Sequence, residues 1–368
     1  MAREVLFVGG IPLRPASAVF ELVAGELGSF VPRIPDGDQR GWIVAAVDSL
    51  SANDALERTG SVEVSRGGAV VPTFGLRPGR SASDLRLGPY GYGEVAADSY
   101  AAFRELRDRG TIPPHTRFQV TMPGPGTSAF MVELPPDELL PMAREALAAE
   151  ISRIVEVVPP DDLAVQLDIA MEAEHEEYRR RPGAFETPVH EFFDWTQEQM
   201  AESAAWLADR VPPEAELGFH ICSIWHHFQP GGQDNAVLVD TANALIARVG
   251  RRIDYIHLPT IPEHDVADFA PLRDLHLAPE TMVYLGVIHR GDGVEGAARR
   301  IAAAQTALPD FGVASFCGFG NPVTTKNRSA IQAGDALHED MRDAEAKLEE
   351  LMKLHRDVAL LGAPVGGE

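Results

Sequence analysis

The chain has 368 residues, of which 45% are hydrophobic and 24% charged, with two cysteines and a formal net charge of -23. That composition suits a globular protein large enough to bury a core without staples, and it excludes collagen-like, low-complexity and disulfide-framework chains. So acidic a surface repels nucleic-acid phosphates and anionic lipid, so neither is an expected partner.

Taken in chain order, the first apolar run is Val5–Val8, read as a strand before Gly9 and Gly10. It is too short for a signal-peptide core, and no stretch approaches the ~20 apolar residues of a membrane span. The expected setting is therefore cytoplasmic. A helix follows from Ala16 to about Leu27, and Trp42–Val47 is the candidate second strand. Ser61–Phe74 reads as a hairpin or long loop turning at Gly67 and Gly68, an insertion near residues 61–80. Next come a helix over Ala96–Arg109, a strand over Arg117–Thr121, a helix over Pro136–Val157 and a strand over Asp162–Asp168. Residues 172–187 are polar and charged, an active-site loop or an excursion. A helix over Val189–Val211, a strand over Leu217–Cys222 and a helix over Asn235–Val249 continue the alternation. Ile253–Leu258, Met282–Ile288 and Gly312–Phe316 are further strands, with a helix at Val294–Ala307 and a last one from about Gly334.

Eight nearly continuous apolar strands separated by helices predict an α/β fold, a single (β/α)8 TIM-type barrel over residues 1–368. No GxGxxG or GxxxxGK[ST] segment supports a nucleotide-binding sheet.

In such barrels the chemistry sits where strands end at their C-terminal side. Here those ends carry Asp168, His220 and Cys222, His257, His289 and Cys317. Residues i and i+2 of a strand share a face, so His220 and Cys222 can reach one ion. Zinc accepts thiolate and imidazole together, and a Cys2His set with one open position is a catalytic pattern. His220, Cys222 and Cys317 are the candidate metal ligands. The bland alternative makes the cysteines small buried hydrophobes and His220 a core histidine. His226 and His227 read as ordinary loop histidines.

These segments together resemble the cobalamin-independent methionine synthase family, specifically its catalytic C-terminal barrel, in a superfamily shared with uroporphyrinogen decarboxylase and epoxyalkane:coenzyme M transferase. FVGGIPLRPA is similar to the family's opening VGS-(F/Y)-P strand, PDGDQRGW to its acidic GE segment, TMPGPGT to a T-x-P-G-P-x-T-like loop and QLDIA to Q-(I/V)-D-E-P. GFHICS resembles the H-x-C zinc motif, and FCGFG the segment with the last zinc cysteine. The resemblance implies that Asp38 and Asp168 hold a substrate amino group and that His289 is a catalytic histidine. The chain departs from the family at Gly10, where a serine contacts the amino-acid carboxylate, at Ile169, and at Pro259, where a glutamate is the fourth zinc ligand. His257, two residues before Pro259, is the candidate substitute on the same strand face.

The expected activity is zinc-dependent transfer of a methyl or other alkyl group to a zinc-activated thiol, with a substrate other than the family's. His289 and Asp168 are the candidate catalytic residues, and Asp38, Gly10 and His257 the candidate substrate contacts. The partners are a small-molecule thiol and an alkyl donor, with a folate as one candidate methyl donor; the oligomeric state stays open. Two rivals remain: a uroporphyrinogen-decarboxylase-type lyase, and a barrel that binds zinc or a ligand without turnover.

Overall fold

The computed structural model describes residues 2–361 apart from 12, 39, 64–69, 181–193, 223–233 and 320–336. Eight strands run parallel around a nearly closed barrel: β1 (Val5–Leu6), β2 (Arg33–Pro35), β5 (Arg117–Pro123), β6 (Leu163–Ile169), β7 (Glu216–Ile221), β8 (Tyr255–Pro259), β9 (Met282–Ile288) and β10 (Gly312–Ser315). Their spatial order is β1-β10-β9-β8-β7-β6-β5-β2, so the seam falls between β1 and β2. Helices link successive strands and cover the outside. Two further strands, β3 (Leu56–Glu63) and β4 (Val70–Leu76), form an antiparallel hairpin outside the barrel. It is moored by Phe74, whose amide donates to Met131 O at 2.9 Å and whose carbonyl accepts from Glu133 N at 2.9 Å.

The segment Trp42–Val47 is not a strand. It belongs to the helix Gly41–Ser51, and the second barrel strand is the three-residue Arg33–Pro35. The apolar run WIVAAV suits either structure. Helical spacing of Ala45, Ala46 and Leu50, all buried, decides it once the core is in place. Within the polar stretch 172–187, Met171–Arg180 is a helix and the remainder lies outside the described residues. The expected hairpin is present, and its Gly67–Gly68 turn lies outside them, as do His226 and His227.

Alternation sorts the strand residues. On β6, Leu163, Val165, Leu167 and Ile169 join the large core shared with the surrounding helices. The barrel interior has its own smaller apolar cluster of Leu6, Val8, Tyr255, Tyr284 and Ala314. Below it, Arg33 pairs with Glu216, donates to the Tyr284 hydroxyl at 3.0 Å and lies 4.2 Å over the Tyr255 ring. Gly218 is required beside that ring, since a Cβ there would fall 2.0 Å from it. Higher up, Gln119 Nε2 donates to Phe7 O at 2.9 Å, and Gln166 Nε2 donates to Val8 O. These amides tie the end of β1 to strands across the barrel. The interior is thus filled, and what lies above this plug is the mouth.

Among the described residues, no helix is long and apolar enough to cross a membrane.

Candidate metal centre

Register builds the mouth. Asp168 on β6 stands opposite His220 on β7, which stands opposite His257 on β8. Cys222 continues the β7 ladder, its amide donating to Ile169 O at 3.1 Å. Cys317 lies just beyond β10 and completes the circle. One nitrogen of His220 and the sulfurs of Cys222 and Cys317 all lie within 4.8 Å of one another.

The tautomers follow from the hydrogen bonds. His257 Nε2 lies 3.1 Å from Ser315 O, which can only accept, so that nitrogen carries the hydrogen. In the neutral ring the Nδ1 of His257 then accepts, and its partner at 2.7 Å is His220 Nδ1. His220 therefore donates from Nδ1 and turns a bare Nε2 lone pair toward the sulfurs. Among the described residues that Nε2 is buried without a nitrogen or oxygen partner, and the His220 ring interacts with the Cys317 sulfur. An oriented imidazole whose second nitrogen is pinned by a hydrogen bond is what a metal-ligating histidine requires. Soft thiolates and this lone pair suit zinc.

The two thiols share charge. The hydrogen bond from Cys222 holds Cys317 well below the ordinary thiol value, with His220 adding to the effect. The same bond, together with burial, pushes Cys222 well above that value. The pair thus loses one proton readily and keeps the other between the sulfurs.

Beside the cluster is a cavity of about 80 Å³, whose lining includes Gly10, Asp36, Asp38, Tyr92, Asp168 and Cys317. Asp168 accepts from Gln166 Nε2 at 2.9 Å, and burial pushes its carboxyl up to about 7. Asp38 is locked to Arg40, whose Nη2 lies 2.8 Å from its Oδ2. Asp36, unremarked in the sequence, lies in the same wall; burial, and then the charge of Asp38, push it up to about 8. Its position in PDGD, two residues before Asp38, was the available signal. Gly10 admits no side chain, because a Cβ there would sit 2.4 Å from Asp38 O. The serine of the resembled family therefore has no room.

The structure brings together His220, Cys222, Cys317, Asp168, Asp38 and Gly10. His257 stands behind His220, fully buried, with both ring nitrogens engaged, and it does not line the cavity. His289 follows β9 on the same rim, stacked on Phe316 with ring centroids 5.9 Å apart, and is likewise outside the cavity lining. Burial, then the Arg300 charge, lower His289 to about 4, so its ring is neutral at neutral pH.

The fold and this site define a TIM-type barrel with a metal-competent Cys2His cluster at the face where barrel enzymes do their chemistry. No protein-family model matches the chain, and no curated protein matches it. Among solved structures it is similar to a B12-independent methionine synthase from Shewanella sp. W3-18-1 in complex with selenomethionine, at 14% identity and a TM-score of 0.48, over 96% of this chain and 99% of that one. It is also similar to a GH18 chitinase from Pseudoalteromonas aurantia, at 13% identity and a TM-score of 0.41, over 90% of this chain and 99% of that one.

Proposed function

We propose that the protein is an alkyltransferase that holds zinc through His220, Cys222 and Cys317 and transfers a methyl or other alkyl group to a thiol. The observation that carries this reading is the bare, oriented Nε2 of His220 converging on two sulfurs within 4.8 Å. When bound there, zinc lowers the pKa of a coordinated thiol, so that the nucleophilic thiolate predominates at neutral pH. Two cysteinates keep the ion weakly Lewis acidic, which favours an electron-rich sulfur.

The chain's own residues do the positioning. Asp168, anchored by Gln166, stands in the cavity wall to hold a cationic or hydroxyl group of a substrate. Asp38, spanned by Arg40, fixes the opposite loop and lines the same cavity. His257 and Ser315 hold the His220 ring. His289 is neutral at neutral pH, and its buried Nε2 has no partner among the described residues. A metal-free lyase of the decarboxylase type has no use for the Cys2His cluster. A folate is one candidate methyl donor for a small-molecule thiol acceptor.

The test is metal analysis of protein purified without added zinc, paired with a thiol-alkylation assay. Near-stoichiometric zinc is expected in the native chain and a sharp loss in Cys222→Ser. Full zinc content in the Cys222→Ser, Cys317→Ser double variant would refute the assignment. Zinc retained without any alkyl transfer across a panel of thiols and methyl donors would leave a binding protein.

A further inference from the structure

The helix Pro136–Val157 joins the core through residues such as Leu147, Ile151 and Ile154. Glu150 interrupts that apolar face, its side chain fully buried. Taking a carboxylate out of water is costly unless donors meet it. Here they do. Glu150 Oε1 accepts from Tyr90 N at 2.8 Å and from Gly91 N at 3.3 Å, and Oε2 accepts from Gly93 N at 3.1 Å. Arg153 Nη1 adds a fourth donor at 3.0 Å. The carboxylate thereby caps the helix Tyr92–Asp108, whose own flanking residue, Gly91, has no side chain to do so.

The same short segment is gripped by its carbonyls. Arg40 Nη1 donates to Tyr90 O and Nη2 to Gly91 O, at 3.1 Å each. The Nε and Nη2 of that guanidinium also donate to Asp38 Oδ1 and Oδ2, at 3.1 and 2.8 Å. Gly91 takes φ 78°, and a Cβ there would sit 3.0 Å from Arg40 Nη1, so the segment is shaped to receive the guanidinium. Arg40 lines the mouth cavity together with Asp36, Asp38 and Tyr92. An anion thus holds the amides of residues 90–93, and a cation holds the carbonyls of Tyr90 and Gly91.

We infer that Glu150 is a positioning residue for the mouth: by fixing residues 90–93 it fixes the two carbonyls that seat Arg40, and through Arg40 the orientation of the Asp38 carboxylate in the cavity wall. A guanidinium bonded to Asp38 alone would sample several rotamers, because an ion pair between partly exposed side chains gains little against their entropy. Bonds to both Asp38 and the two carbonyls leave one arrangement. Packing by itself does not call for a carboxylate at position 150, since an apolar side chain would fill the space without desolvating a charge; what the charge adds is fixed amides. The task of Asp38 toward a substrate comes from the alkyl-transfer reading, whereas the link from Glu150 to Asp38 stands on these hydrogen bonds alone.

Asp36 reports on that link without zinc or turnover. It lines the same cavity; burial and then the Asp38 charge raise it to about 8, and the Arg40 charge lowers it. Its titration is read from the carboxyl carbon resonances of the whole protein, with Asp36→Asn to assign the signal. Glu150→Gln turns an N–H₂ group toward amide donors and should release residues 90–93, so that Asp36 titrates higher than in the native chain. Arg40→Gln should move Asp36 in the same direction, and adding Glu150→Gln to it should move Asp36 no further. Glu150→Asp keeps the charge one methylene short and gives the same comparison where Glu150→Gln does not fold. A buried group that only stabilised the fold would lower the denaturation midpoint and leave Asp36 where it is. In the thiol-alkylation assay Glu150→Gln should raise KM about tenfold, as befits loss of one hydrogen bond to a charge, with a smaller change in kcat and none in zinc content. An unchanged Asp36 titration in a folded Glu150 variant, or an equal further rise on top of Arg40→Gln, would overturn the assignment. A native chain without alkyl transfer refutes the proposed function and leaves the Asp36 comparison to decide the role of Glu150.

Discussion

At the scale of single residues, the cluster depends on a histidine that holds a candidate ligand from behind. His257 holds His220 through Nδ1 and is itself held by Ser315 O. Removing such an outer partner typically lowers metal affinity 10–100-fold without abolishing it. His257→Ala should therefore weaken zinc by that factor in a competition titration, and an unchanged affinity would show that the ring pair is packing alone. Zinc affinity in the native chain should also rise with pH, because both thiols must lose their protons to ligate. Gly10 makes a steric prediction. A serine there would bring Cβ to 2.4 Å from Asp38 O, and overpacking of this kind costs about 1–3 kcal/mol. Gly10→Ser should lower the denaturation midpoint accordingly; a neutral effect would mean that the Asp38 loop moves aside freely.

At the scale of elements, one carboxylate fixes the entrance on the β5–β6 side. Glu172 accepts from Gly126 N at 2.8 Å, Thr127 N at 3.2 Å and Thr127 Oγ1 at 2.6 Å, tying the short helix Pro125–Ala129 to the helix Met171–Arg180. Thr127 Oγ1 in turn accepts from Ala170 N and Met171 N at 3.0 Å each. Burial raises Glu172, and these donors pull it back down. Glu172→Ala would strand buried donors, and a loss of roughly 3 kcal/mol is expected in urea unfolding. A loss below ~1 kcal/mol would mean that water replaces the carboxylate.

At the scale of the molecule, acid sensitivity can be traced to particular histidines. Burial lowers His355 to about 4, and its ring packs between Phe7 and Phe319 at centroid distances of 5.3 and 5.4 Å. A histidine depressed on folding is neutral in the native state while the unfolded chain takes up a proton below ~6.5. The stability it supplies is therefore complete above about pH 6.5 and falls away as the pH drops toward 4, by ~1.4 kcal/mol per pH unit. His355→Leu should remove one proton's worth of that slope between pH 6.5 and pH 4.5. Identical slopes in the two proteins would show that His355 titrates normally.

Much of this was legible before any coordinates. Strand–helix alternation with apolar strands gave the barrel, because a parallel sheet buries both faces of each strand. The i, i+2 spacing of His220 and Cys222 set them on one face, and the single remaining cysteine completed the cluster. Short apolar runs are ambiguous: WIVAAV reads as a strand by composition, and the buried spacing of Ala45, Ala46 and Leu50 places it in a helix.

What only the tertiary structure decided is what depends on contacts between distant strands. His257 sits behind His220 because register aligns them and Ser315 O captures the far nitrogen. Gly10 is bare because the Asp38 carbonyl closes over it. Asp36 and Tyr92 join the cavity because a loop and a helix start converge there from sequence positions 56 residues apart. Local sequence fixes which face a side chain takes, since backbone periodicity is local; which partner it meets across the barrel is set by register and closure, which no local window contains.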